Sequence, residues 1–316
     1  MGILKTTVVA SVFLFFGCAA PSSKSIDRET PPPADTLSRI DSAMNEEGAF
    51  PSLRTLFPFW YEAAEPFRVI GPIHFVGSRG LSMFFIPTEE GHILIDGGVP
   101  ENAPMIADSI RSLGYDPRDI RILLNTHAHV DHSGGLAELK ALSGAKLIAS
   151  EKDRSALEGG FYLGSENRPE FNSLPVKVDE IIGDGETVRL GGVTLTAHIT
   201  PGHTRGCTSW TLSVEEAGKD FEALVFCSAS VAVNRLVGPP QYEGIVTDYR
   251  RTFELTRNWQ PDVFLANHPE FYGHTSKAAR LEGGEQLAFV DPAAFRAFIA
   301  KMESDFEAAL DNQSKK

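Results

Sequence analysis

The sequence predicts an α/β fold, and three features carry the prediction. Short apolar runs of strand length recur between turn signals, stretches of 3.6-residue periodicity lie among them, and the two kinds of segment fall into two comparable halves. Within the first half, an apolar run at 120–124 passes through a polar loop into a helical pattern that starts at Ser133 and places Leu136, Leu139 and Leu142 together. A chain of 316 residues with 42% apolar content has enough material for one globular domain with a large core.

Taken in order, residues 1–20 differ in composition from the rest: Lys5 precedes an uncharged apolar run at 6–16, followed by Gly17-Cys18-Ala19-Ala20. This is the make-up of an export signal, and its apolar run falls short of the roughly twenty residues that a membrane-spanning helix needs. Phe15-Phe16-Gly17-Cys18 resembles a loose bacterial lipobox, which makes Cys18 a lipidation candidate; cleavage after Ala20 is the competing reading of the same residues. Both readings take the mature protein out of the cytoplasm, into the periplasm if the source is Gram-negative. Residues 21–50 are rich in Ser, Pro, Asp and Glu, include Pro31-Pro32-Pro33, and read as a flexible linker. The domain proper spans 51–316 and opens with Leu53, Leu56, Phe57, Phe59 and Trp60.

Strand signals follow at 67–76, 81–86 and 92–95, the last running into Asp96-Gly97-Gly98. Pro104 in a first turn, then Met105, Ile106, Ser109, Ile110 and Leu113 before Gly114, predicts a helix with start and stop signals. A short strand at 145–149 and a short helix at 151–157 come after the 120–124 strand and its loop. Residues 158–177 lack periodicity but carry Phe161, Tyr162 and Phe171 among glycines and prolines, a pattern that suits either a cleft border or core packing. Strands return at 187–190 and 193–199. Two more, at 207–214 and 221–227, flank a turn centred on Ala217. Residues whose numbers sum to 434 then face each other, which makes Cys207 and Cys227 direct neighbours and a disulfide pair in an oxidising compartment. With Cys18 used by the signal or by lipid, none of the three cysteines is left over. A helix at 245–258, a strand at 263–266 and a C-terminal helix from about Pro292 complete the set. On that last helix Phe295, Phe298, Ile299, Met302, Phe306 and Leu310 form one core-facing stripe.

The chemistry concentrates in the loop after residue 124, where His127, His129, Asp131 and His132 fall within six consecutive positions. Imidazole nitrogen and carboxylate oxygen are ligands that Zn²⁺ accepts. Four of them in one loop exceed what a single tetrahedral ion with an open position takes, so two metal ions are expected. A polar loop that merely caps the next helix would not gather three of the nine histidines beside an aspartate. His203 in Thr-Pro-Gly-His-Thr and His268 in Leu-Ala-Asn-His-Pro each follow an apolar strand-like run and complete two sets of three. His198 lies inside a strand run and reads as a hydrogen-bonded structural residue; His74, His92 and His274 are set aside likewise.

His-Ala-His-Val-Asp-His, Pro-Gly-His-Thr and the late Asn-His-Pro, with Leu94-Ile95-Asp96-Gly97-Gly98 upstream, resemble the metallo-β-lactamase superfamily over about residues 67–270. His132 directly after Asp131, and Phe226-Cys227-Ser228-Ala229-Ser230, make the chain most similar to subclass B3. The resemblance implies an αββα sandwich of two packed mixed sheets flanked by helices, with the ligand loops at one edge of the packed sheets. It implies two zinc ions, one held by His127, His129 and His203 and the other by Asp131, His132 and His268, with Asp131 also the candidate catalytic residue. Asp96 would support the ligand loop from behind, and Ser228 and Ser230 would bind the carboxylate that β-lactams carry. The implied reaction is hydrolysis of the β-lactam ring of penicillins, cephalosporins and carbapenems by a metal-bridging hydroxide.

Glyoxalase II-like thioesterases and homoserine-lactone hydrolases share the first motif, but they place a metal-bridging aspartate where this chain has Cys227-Ser228-Ala229-Ser230. Subclass B1 enzymes put a ligating cysteine there and lack the histidine after the aspartate, so a Cys227 thiolate ligand is a lesser alternative to the pairing with Cys207. A non-catalytic secreted zinc scaffold would show a missing ligand, and none is missing. The expected partner is a small-molecule β-lactam substrate, and the protein is expected to be a monomer. A net charge of −13 argues against nucleic acid, and an N-terminal lipid is the only expected attachment to a membrane.

Overall fold

The computed structural model describes residues 52–315; the export signal, Cys18 and the 21–50 linker lie outside the described residues. The first sheet takes its strands in sequence order: β1 (Phe67–Ile70), β2 (Ile73–Phe75), β3 (Phe84–Thr88), β4 (Gly91–Ile95), β5 (Ile120–Leu124), β6 (Lys146–Ser150) and β7 (Glu180–Ile182). Pairing is antiparallel from β1 to β4 and parallel from β4 to β7. The second sheet has the order β12 (Val263–Ala266), β11 (Lys219–Phe226), β10 (Thr208–Glu216), β9 (Val193–Ile199), β8 (Thr187–Leu190), parallel only between β11 and β12.

Helices cover the sheets. α1 (Leu53–Leu56), α2 (Asn102–Ser112), α3 (Val130–Ser133), α4 (Leu136–Ser143) and α5 (Glu151–Gly159) belong to the first half, and α6 (Ile245–Thr256), α7 (His274–Glu282) and α8 (Ala294–Ser314) to the second. The period-two alternation of the strands divides the core into layers. In β4, Ile93 and Ile95 join a cluster with Trp210 and Leu212 of the second sheet, whereas Leu94 joins one with Ile106, Ile110, Leu136 and Leu139 of the helices. The cluster between the sheets continues to Phe253, Phe295, Phe298 and Phe306 on α6 and α8. This is the αββα arrangement that the sequence resemblance implies.

Several boundaries differ from expectation. The 67–76 run is broken at Gly71, whose φ of 49° turns the chain back into a β1–β2 hairpin. Residues 81–83 are buried without joining a strand, and the strand instead continues to Thr88. Strand β7 and helix α7 were not foreseen. The β10–β11 ladder pairs Trp210 with Val225 and Glu216 with Lys219, so facing residues sum to 435 and the turn is the two-residue Ala217-Gly218. Both turn residues have positive φ, 52° and 74°, the backbone of a tight hairpin whose twist matches its strands. Cys207 and Cys227 are therefore diagonal neighbours rather than directly opposed. Their sulfur atoms nonetheless touch, with Cα atoms 5.8 Å apart, inside the range a disulfide spans.

Candidate metal centre

Strand ends, and the short helix that follows one of them, deliver the residues of the centre. Asp96 follows β4, His127 and His129 follow β5, Asp131 and His132 lie on the four-residue α3, His203 follows β9, Ser228 and Ser230 follow β11, and His268 follows β12. The structure thus gathers the six expected ligands. His127, His129 and His203 form one buried group, and His127 also lies close to Asp131 and His132. His129 Nδ1 and His203 Nε2 are 3.1 Å apart, His132 Nε2 and His268 Nε2 3.2 Å, and His132 Nε2 and Asp131 Oδ2 3.1 Å. Two ligand atoms bound tetrahedrally to one zinc at 2.0–2.1 Å would sit about 3.3 Å from each other, so these separations fit a shared ion.

Orientation of the rings supports the same assignment. His203 Nδ1 meets the Ser230 carbonyl at 2.7 Å, His268 Nδ1 meets the Gly80 carbonyl at 3.2 Å, and His127 Nδ1 meets Thr126 Oγ1 at 3.1 Å. With their outer nitrogens occupied, the Nε2 atoms point inward, and buried His127 Nε2 has no hydrogen-bond partner. An orphaned inward nitrogen beside other imidazoles and a carboxylate fits a metal. Burial, reinforced by neighbouring rings, holds His127 and His129 well below the usual histidine range, and burial brings His203 down to about 4. Neutral imidazoles keep the lone pairs that ligation requires. Burial would push the Asp131 carboxyl up, but His132, His268 and His129 together hold it below the ordinary carboxylate range. Burial likewise pulls His132 down, and Asp131 and Asp96 outweigh it.

Asp96 stands behind the ligand loop as expected. It accepts from Asn125 Nδ2 at 2.9 Å and from Thr126 N and Oγ1, both at 2.7 Å, with His132 Nδ1 3.7 Å away. Burial raises its carboxyl to about 6 against these partners. Its φ of 66° is a left-handed conformation that aspartate tolerates better than most residues. Ser228 is buried and its hydroxyl lies 3.3 Å from that of Ser230, which is half-buried and is the more accessible of the two. Cys227 Sγ lies 3.6 Å from His127 Nδ1, on the outer side of that ring. His74, His92, His198 and His274 make their contacts elsewhere; His198, for example, bonds Thr211 Oγ1 at 2.8 Å.

Sequence reasoning missed three supports. Asp153, on the first turn of α5, is 3% exposed and reaches both ligand-bearing loops; burial raises its carboxyl to about 6 against hydrogen bonds from Thr204, Ala128 and Gly206. Its spacing to Ala156 and Leu157 places it on the buried face of its helix, the one signal that separated it from its charged neighbours. Tyr162, from the 158–177 loop, stacks on His129 with ring centroids 4.0 Å apart and planes 10° from parallel. Its hydroxyl donates to Asn234 Oδ1 at 2.9 Å, and Asn234 Nδ2 in turn donates to the His203 carbonyl at 2.9 Å.

Residues 77–215 match the metallo-β-lactamase superfamily. Among solved structures, the chain is similar to BJP-1, a subclass B3 metallo-β-lactamase of Bradyrhizobium japonicum, at 44% identity and TM-score 0.80, covering 81% of this chain and 97% of that one. It is similar to the FEZ-1 metallo-β-lactamase of Legionella gormanii at 34% identity and TM-score 0.77, covering 81% and 98%. A curated N-acyl homoserine lactonase of Bacillus thuringiensis is 26% identical over 216 residues, 59% of this chain and 80% of that protein.

Proposed function

This chain belongs to the metallo-β-lactamase superfamily and to its subclass B3, and from that premise we propose that it is an exported, zinc-dependent hydrolase that opens the ring of β-lactam antibiotics as a single chain. Metal-dependent hydrolysis is the superfamily's chemistry; the zinc identity, the count of two and the β-lactam substrate are the steps proposed. The observation that carries the reading is the convergence of His127, His129 and His203 on one side, and Asp131, His132 and His268 on the other: His129 lies 3.1 Å from His203, the ligand atoms of Asp131, His132 and His268 lie 3.1–3.5 Å apart, and His127 comes within 4.8 Å of His129 and His203 and of Asp131 and His132.

When bound, two zinc ions supply a water activated at neutral pH and a Lewis acid for the carbonyl. The six side chains would hold them, and no separate general base is required among the residues. Ser230, with Ser228 behind it, would donate its hydroxyl to the substrate carboxylate. A ligand that anchors the unreacting end of a substrate contributes to binding in the ground state and transition state alike. Asp96 would fix the His132 side of the loop. The pair Cys207 and Cys227 would be a disulfide in the exported protein, and Cys18 would carry a lipid that tethers the domain through residues 21–50.

A thioesterase or lactonase reading is the competitor, given the similarity to a homoserine lactonase. Against it stand the higher identity and fuller coverage of the B3 structures, and the absence of a carboxylate between Cys227 and Ser230. Zinc-loaded protein assayed side by side on a chromogenic cephalosporin, a carbapenem, a glutathione thioester and an acyl homoserine lactone decides between them. Turnover of the two β-lactams above the other two substrates supports the proposal, and good turnover of the thioester or lactone with none of either β-lactam refutes it.

A further inference from the structure

We propose that Asp153 is a positioning residue for the three-histidine half of the centre, tying the loop of His127 and His129 to the loop of His203 and so setting the spacing of the three rings. The inference rests on the metal-binding reading above and concerns a residue outside both ligand sets.

Its hydrogen bonds define the role. Asp153 Oδ2 accepts from Ala128 N at 3.0 Å and from Thr204 Oγ1 at 2.8 Å, and Oδ1 accepts from Gly206 N at 2.9 Å. Ala128 is the residue between the two ligands of the first loop, so the orientation of its peptide governs the direction of both rings. Thr204 follows His203 directly, and Gly206 lies two residues further on. One carboxylate oxygen therefore takes donors from two loops far apart in sequence, and each donor lies one residue from a ligand. The carboxylate touches none of the ligand side chains; it acts through the backbone that carries them.

The packing is shaped around this contact. A Cβ on Gly206 would come within 2.0 Å of Ser150 Oγ and 2.7 Å of Asp153 Cγ, so the His203 loop approaches the start of α5 with no room for a side chain. Ser150 Oγ also donates to the Gly206 carbonyl at 2.8 Å. Asp153 makes no ion pair within 4 Å among the described residues, and the Arg205 charge acts on it less than burial and its three hydrogen bonds do; a buried carboxylate so weakly compensated by charge is a costly way to gain stability alone. Asp96 provides a counterpart. It grips Asn125 and Thr126 from the other side and neighbours His132, so residues 125–128 are held between two buried carboxylates, one for each half of the centre.

The test measures zinc affinity by competition with a chromophoric chelator in two backgrounds of the full chain. His268→Ala disables the second set and leaves the three histidines, whereas His203→Ala disables the first. Asp153→Asn keeps the size of the side chain but turns one acceptor oxygen into a donor. It should weaken zinc in the His268→Ala background by about ten- to a hundred-fold, the usual cost of losing an outer support, and leave the His203→Ala background unchanged. Thr204→Val, which removes one arm without touching Asp153, should weaken the same half, and Thr204→Ser should restore it. Unchanged affinity in the His268→Ala background, equal losses in both backgrounds, or identical behaviour of Thr204→Val and Thr204→Ser would overturn the inference. Failure of the His268→Ala protein itself to bind zinc would instead refute the metal reading beneath it.

Discussion

Replacing Tyr162 with phenylalanine would remove one buried hydroxyl and leave the ring on His129 in place. The hydroxyl donates to Asn234 Oδ1 at 2.9 Å, and Asn234 is 1% exposed, so the orphaned oxygen would find no water to replace the lost donor. Leaving a buried acceptor unsatisfied costs about 1–3 kcal/mol. With melting shifts of roughly 2–4 °C per kcal/mol for a domain of this size, a mid-range loss of about 2 kcal/mol lowers the melting temperature by roughly 4–8 °C. Tyr162→Leu would also remove the ring that lies 4.0 Å from His129 and leave a cavity, and should cost about 3–5 kcal/mol, near the range for truncating large aromatic side chains. Thermal unfolding at fixed free zinc, with urea unfolding as a check, measures both. The Leu variant should also bind zinc more weakly at the three-histidine half, because the stack that fixes His129 is gone, whereas the Phe variant should not. A Phe variant that melts with the wild type, or a Leu variant no worse than Phe, would refute the reasoning.

Three further outcomes follow from the same geometry. Burial lowers His203 to about 4, so in metal-free protein its contribution is present above the unfolded value near 6.5 and lost as pH falls from there through about 4. The urea midpoint of metal-free wild type should accordingly drop more steeply over that window than that of His203→Asn, and parallel curves would contradict the assignment. Mass mapping of non-reduced peptides from exported protein should find Cys207 joined to Cys227; two free thiols would exclude the pair. Cys18→Ala should move the protein from the membrane fraction to the soluble one, and a wild type already soluble would favour cleavage after Ala20.

The ligands were legible in sequence because each follows an apolar strand run and four of them share one loop, so strand order alone brings them to one end of the sheets. Asp96 was legible for the same reason. Asp153 was not, because its partners are backbone N–H groups and a threonine on loops that meet only in the folded chain, and its neighbours Glu151, Lys152 and Arg154 disguise it as surface charge. The aromatic content of the 158–177 loop was visible, but nothing local to Tyr162 points to His129 or Asn234. The hairpin register slipped by one because Ala217 adopts a positive φ, which glycine at 218 announces and alanine does not. Strand β7 escaped because three residues at a sheet edge carry too short a pattern to register.

The central claim is that two zinc ions held by these six side chains drive β-lactam hydrolysis. Zinc titrated into metal-free full-length protein, with bound zinc and carbapenem turnover followed on the same samples, tests it directly. Turnover should rise with occupancy, level off at about two zinc ions per chain and vanish on chelation. Full hydrolysis with no zinc bound, or two zinc ions bound with no β-lactam turned over, would contradict the account.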